Sequence, residues 1–99
     1  MAERMVESAN TNRHAAGLSR RALNQMAREL LLAQSSDWAF IMKTGSHVQY
    51  AVERFRGHAE NFTNLYEDVK SGSLDEEYLR RLEGKNNIFP DIDYTVYCT

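Results

Sequence analysis

The segment from His47 to Ser71 constrains the fold more than any other part of the chain. Val48, Val52, Phe55, Ala59, Phe62, Tyr66 and Val69 recur alternately four and three residues apart, which is the spacing of one apolar stripe on a helix and not the alternation of a strand. Ser46 and Gln49 read as an S-x-x-Q capping box in front of it, so the helix is predicted to begin at His47, and Ser71-Gly72 offers a stop behind. A helix over this span is about 36 Å long. In a chain of 99 residues, with an expected radius of gyration of about 13 Å, such a helix has to be the spine against which the rest packs. The heptad suits an antiparallel bundle as well as a coiled coil.

The other elements are shorter and also helical in period. A first helix is predicted over Glu3 to Arg13, with Met5, Val6 and Ala9 on its apolar side; so short and polar a piece needs neighbours to be stable. Ser19 is expected to cap a second helix whose buried face is Leu23, Met26, Ala27, Leu30, Leu31 and Gln34. The triplet Ser35, Ser36, Asp37 carries side-chain oxygens that compete for backbone donors, which predicts a break there and a short new segment from Trp38 to Lys43. Ser73 and Glu76 read as a second capping box, opening a helix through Leu74, Tyr78, Leu79 and Leu82 to Gly84. The tail "NNIFPDIDYTVYCT" has no helical spacing and holds Pro90, yet Ile88, Phe89, Ile92, Tyr94, Val96 and Tyr97 make it too apolar to dangle in water. The expected architecture is therefore all-α: residues 1–99 form a single helical domain, a bundle of about four to five helices with one long central helix and an extended C-terminal tail.

Totals exclude several function classes. A net charge of -2, with Lys and Arg spread along the chain, gives no electrostatic footprint for nucleic acid or an anionic membrane. The apolar run Leu30 to Ala33 is too short to span a bilayer, and the N-terminus lacks the apolar core of a signal peptide. Cys98 has no second thiol to pair with, which suits a reducing compartment, and a cytoplasmic location is expected.

Candidate chemistry is sparse. His47 and His58 stand about 16 Å apart along one helix and cannot share a metal, and His14 sits alone in a loop. Cys98 lies too near the chain end to be held as a nucleophile. Glu76-Glu77 belongs to a first helical turn, where acidic residues favour the dipole, and Asp91 and Asp93 read as turn formers beside Pro90. Asn61-Phe62-Thr63 matches a glycosylation sequon but falls inside the long helix. No glycine-rich phosphate loop, serine elbow or nucleotide fingerprint is present, and neither a cofactor nor a metal is expected.

Trp38 is the exception. An indole beside Phe40, Ile41 and Met42 can be core. It also follows Gln34, Ser35, Ser36 and Asp37, and an aromatic face next to a cluster of hydrogen-bonding groups is an arrangement that suits a sugar.

The blocks "RALNQMARELLLAQSSDWAFIMKTG" (Arg21 to Gly45), "YAVERFRGHAENFTNLYE" (Tyr50 to Glu67) and "NNIFPDIDY" (Asn86 to Tyr94) closely resemble the C-terminal helical domain of the 1,4-α-glucan branching enzymes of the glycoside hydrolase family 57 type. The resemblance covers nearly the whole chain. It implies a parent protein whose N-terminal catalytic barrel carries a glutamate nucleophile and an aspartate acid/base, neither of which lies in this chain. Such a parent transfers α-1,4-glucan segments to a 6-hydroxyl with retention. By the same resemblance Trp38 would be a sugar-stacking platform, Asp37 and Ser36 would orient the loop or contact hydroxyls, and Gln34 would be a weaker contact. The chain would begin inside the domain's first helix and would have no activity alone; its partners would be the catalytic barrel and α-glucan. The apolar tail and first helix would meet the barrel, and the isolated domain would self-associate through the exposed patch. A second reading, a helical protein-interaction module, remains open; it predicts that Val48, Val52, Phe55 and Phe62 leave an exposed seam.

Overall fold

The computed structural model describes the backbone of residues 1–42 and 47–99 and the side chains of residues 1–35 and 52–99. Its elements in chain order are α1 (Ala2–Thr11), α2 (Leu18–Met42), α3 (His47–Ser71), α4 (Glu76–Lys85) and a terminal 3₁₀ turn, Tyr94–Tyr97. Every regular element among the described residues is helical, as the periodicity predicts. The long helix spans His47–Ser71, as expected, but it does not stand alone: α2 is also 25 residues long. The two long helices pack along each other, and the short connection between them makes the pair antiparallel. The molecule measures 44 × 30 × 24 Å with a radius of gyration of 13.7 Å.

The expected break at Ser35–Asp37 does not occur, because α2 runs unbroken from Leu18 to Met42. Ser and Asp lower helix propensity by only about 0.5 kcal/mol each relative to Ala, and no Pro or Gly lies within the span to enforce a stop. Packing along α3 outweighs that local preference. Two caps also differ from expectation. Ser19 lies inside the first turn of α2, which instead follows Gly17 at φ 62°, and the Arg21 amide donates to the Gly17 carbonyl. Helix α4 starts at Glu76, with Asp75 rather than Ser73 as N-cap; the Asp75 carboxylate accepts from the Tyr78 amide at 3.1 Å. The helix continues through Gly84 to Lys85. The capping box at Ser46 lies outside the described residues. The end of α3 is a Schellman motif: Gly72 takes φ 74°, its amide donates to Val69, and the Ser73 amide donates to Asp68.

The core is built from Met5 and Ala9 of α1, Leu23, Met26, Ala27, Leu30 and Ala33 of α2, Phe62, Leu65 and Tyr66 of α3, Leu79 and Leu82 of α4, and Tyr94. Leu31 is only half-buried and Gln34 is exposed, so the buried face of α2 turns through Ala22 and Ala33 instead of these two. Among the described residues the seam that the interaction-module reading requires is interrupted by Phe62, which is fully buried; Val52 and Phe55 are half-buried, and the Val48 side chain lies outside the described ones.

Two polar constructions fix the geometry. Glu29 is fully buried on α2; one carboxylate oxygen meets His58 Nδ1 of α3 at 2.7 Å, and the other accepts from Asn86 Nδ2 at 2.8 Å and Gln25 Nε2 at 3.3 Å. Gln25 Nε2 also donates to the carbonyls of Leu82 and Asn86. Four segments are thus tied at one point, with each buried polar group paired. The second construction folds the tail back over α1. Tyr94 is fully buried; its hydroxyl donates to the Asn12 carbonyl and accepts from the Ala15 amide, and its own amide donates to Asn24 Oδ1 at 2.9 Å. Beyond it, the Cys98 thiol donates to the Ala9 carbonyl and the Thr99 amide to Asn10 Oδ1. The tail therefore lies on its own bundle, and α1, too short to persist alone, is held between it and the long helices.

Candidate functional site

Two of the sequence blocks that stand out in the chain, one on α2 and one in the tail, meet in space. Arg28, two residues before the "LLLAQSSDW" stretch, projects its guanidinium across the "NNIFPDIDY" segment: Nε donates to the carbonyls of Ile88 at 3.0 Å and Phe89 at 3.4 Å, and Nη2 donates to that of Pro90 at 3.2 Å. Its Nη1 is fixed in turn by Gln25 Oε1 at 2.9 Å. An arginine suits this task because its donors form a rigid planar fork, so one side chain can hold three successive carbonyls.

What the fork holds is a strained backbone. Phe89 takes φ 50° and is the one non-glycine residue with positive φ among those described; such a conformation costs an L-residue roughly 1–2 kcal/mol. It turns the Phe89 ring outward, 55% exposed, while the Ile92 amide closes the turn onto the Phe89 carbonyl at 3.0 Å. Beside the ring a groove of about 710 Å³ opens between Leu31 of α2 and tail residues Phe89, Pro90, Ile92, Val96 and Tyr97, with Asp91 and Asp93 among its lining residues.

The polar groups of the groove differ in state. Asp93 caps the 3₁₀ turn, accepting from the Thr95 hydroxyl at 2.7 Å and the Thr95 amide at 3.0 Å, and Arg20 lies 3.2 Å away. The Thr95 hydroxyl and amide, then Arg20, hold the Asp93 carboxyl below the ordinary aspartate value. Asp91 and the Tyr97 hydroxyl have no hydrogen-bond or ionic partner among the described residues. Burial pushes the Tyr97 phenol up, so it is a neutral donor throughout the physiological range.

Of the four residues singled out by the sequence, Gln34 is exposed on α2. Ser36, Asp37 and Trp38 fall on the helical backbone of α2, and their side chains lie outside the described residues. Helical register places position 38 on the strip of Leu31 and Gln34, and position 37 on that of Leu30 and Ala33. The four therefore do not share one strip. Sequence reasoning missed Arg28, Gln25 and Phe89. The available signal was polarity at helical positions otherwise reserved for core, Gln25 and Glu29 in particular, and an aromatic set directly before the single proline.

Of the histidines and the cysteine, the His47 side chain lies outside the described residues. His58 is satisfied by Glu29, the Cys98 thiol by a backbone carbonyl, and His14 is exposed. Among the described residues no three His, Cys, Asp or Glu side chains gather as metal ligands, and no helix is long and apolar enough to cross a membrane.

Comparison with known proteins identifies the family and bears out the helical fold. The family described as 1,4-alpha-glucan branching enzyme, C-terminal, matches residues 1–97. A 1,4-alpha-glucan branching enzyme of Thermococcus kodakarensis is 36% identical over 91 residues, which is 88% of this chain and 14% of that protein. The crystal structure of the alpha-amylase AmyC from Thermotoga maritima superposes with a TM-score of 0.86 at 47% identity, over 97% of this chain and 19% of that one. The chain thus spans less than a fifth of the length of either relative. With the family match running through both the Arg28 clamp and the groove, the chain belongs to the family of C-terminal domains of 1,4-alpha-glucan branching enzymes.

Proposed function

We propose that this chain acts as the accessory helical domain of a 1,4-α-glucan branching enzyme, a cytoplasmic protein of the glycoside hydrolase family 57 type. It is set beside a separate catalytic barrel and supplies part of the wall along which the glucan lies. It contributes binding and orientation, not the reacting carboxylates. Trp38 serves as the stacking face, with Ser36, Asp37 and Gln34 as its polar neighbours.

One observation carries this reading: the outer strip of α2 that contains position 38 is exposed at Gln34 and borders the tail groove at Leu31. Because α2 is unbroken, helical register alone puts position 38 on that outer strip. An aromatic wall with a few placed hydrogen-bonding groups is what a neutral polyhydroxylated ligand requires. The length of the relatives supports the rest, since more than four fifths of each lies outside the matched region.

The test uses the fact that the chain has a single tryptophan, so its emission reports position 38 alone. Titration of the 99-residue chain with maltoheptaose is expected to change that emission saturably, and cellohexaose is not. Trp38→Ala is expected to leave Tm nearly unchanged, whereas loss of a core indole costs about 3–5 kcal/mol. Emission indifferent to maltoheptaose, together with a large fall in Tm for Trp38→Ala, overturns the platform role.

A further inference from the structure

We infer that the groove between Leu31 and the Phe89–Tyr97 tail is a second α-glucan contact, in which the Phe89 ring is a stacking face and the Asp91 carboxylate and Tyr97 hydroxyl take sugar hydroxyls. The inference rests on the reading of the domain as glucan-binding and adds a site that Trp38 does not supply.

The groove has the right components and few others. It offers an aromatic ring turned outward, 55% exposed, between apolar walls. It also offers a carboxylate acceptor and a phenol donor, neither with a partner among the described residues. Asp93 at the same groove is already engaged by Thr95 and Arg20, which leaves Asp91 as the open acceptor. Two aspartates in the lining make phosphate, nucleic acid or an anionic lipid headgroup a poor occupant. A neutral polyol needs no countercharge, presents apolar C–H faces to a ring and hydroxyls to carboxylates, and matches both parts of the lining.

Position and rigidity point the same way. Leu31 and position 38 lie seven residues apart on one strip of α2, about 10 Å along the axis, so one oligosaccharide of a few glucose units can run from the groove to Trp38. Arg28 holds the backbone beneath the ring through three carbonyls and is itself held by the buried Gln25. Rigid presentation of an aromatic lowers the ordering cost of binding.

The experiment is residue-resolved NMR of the labelled 99-residue chain titrated with maltoheptaose. The expected result is that the amides of Phe89, Asp91 and Tyr97 shift together with the Trp38 indole and share one saturation curve. Movement of the indole without the groove overturns this inference and leaves the domain's assigned role intact. Movement of the groove without the indole does the reverse for Trp38, and a still spectrum removes both. Phe89→Gly suits the left-handed backbone and keeps the turn, so it is expected to preserve the fold while weakening maltoheptaose binding at least about tenfold; Phe89→Tyr is expected to restore it. Undiminished binding by Phe89→Gly overturns the inference. So do groove shifts that follow protein concentration in the absence of sugar, which would make a second copy of the chain the occupant.

Discussion

Glu29 of α2 and His58 of α3 face each other at 2.7 Å, with the carboxylate fully buried and the imidazole nearly so. The pair sits where the two long helices, the end of α4 and the start of the tail converge. It therefore sets the angle from which Arg28, one residue before Glu29, reaches the tail carbonyls. Replacing His58 with Ala leaves one carboxylate oxygen in the core with no partner. The expected loss is on the order of 3 kcal/mol, read by urea unfolding followed by circular dichroism. A loss below about 1 kcal/mol, the range of an exposed pair, would show that water reaches Glu29.

Tyr94 makes a second test of buried polar pairing. Its hydroxyl serves both the Asn12 carbonyl and the Ala15 amide in the link between α1 and α2. Tyr94→Phe keeps the ring and removes both bonds, so the variant is expected to lose about 1–3 kcal/mol. The amide of Ala15 should lose hydrogen-exchange protection first. Unchanged exchange at Ala15 counts against the assigned bond.

Two glycines should respond with opposite signs to the same substitution. A Cβ at Gly72 or at Gly57 would meet no atom within 4 Å, so sterics with neighbours play no part in either. Gly72 sits at φ 74° in the Schellman turn, and Gly72→Ala is expected to destabilise by roughly 1 kcal/mol. Gly57 is in the interior of α3, and Gly57→Ala is expected to stabilise by about 0.5–1 kcal/mol. Thermal melts of the two variants on either side of the parent Tm check both at once.

Acid should loosen the tail at Asp93. Its folded carboxyl is held below the ordinary value of 3.8 by the Thr95 hydroxyl and amide and by Arg20. The group binds protons more readily when unfolded, so its contribution is fully present above the unfolded value and is lost as pH falls through the lower folded one. Proton NMR of the Thr95 and Val96 amides should show the 3₁₀ turn persisting at pH 5 and loosening only below the ordinary value of 3.8. Asp93→Asn, which removes the charge but retains an accepting oxygen, should flatten this dependence.

The long helix was legible because its signal is redundant: seven apolar positions in register, with Ser71-Gly72 as a stop. The end of the second helix was not, since Ser35, Ser36 and Asp37 speak only for local preference, while α2 runs on to Met42 in contact with α3, which no short window of sequence displays. Asp75 was overlooked as a cap because Ser73 and Glu76 satisfy the box pattern equally well on paper. Of the site, Trp38 and its neighbours drew attention through chemistry and family resemblance. Phe89 did not, because nothing in the letters "IFP" states that a guanidinium sixty-one residues earlier, Arg28, holds that backbone left-handed.

The closure of the tail over α1 has a consequence for the order of events on the ribosome. Helix Ala2–Thr11 and the residues just after it find their Tyr94, Cys98 and Thr99 partners only once residues 94–99 have been synthesised. Within this domain α1 is thus among the last parts to settle, and a polypeptide stalled short of residue 94 leaves it without that cover.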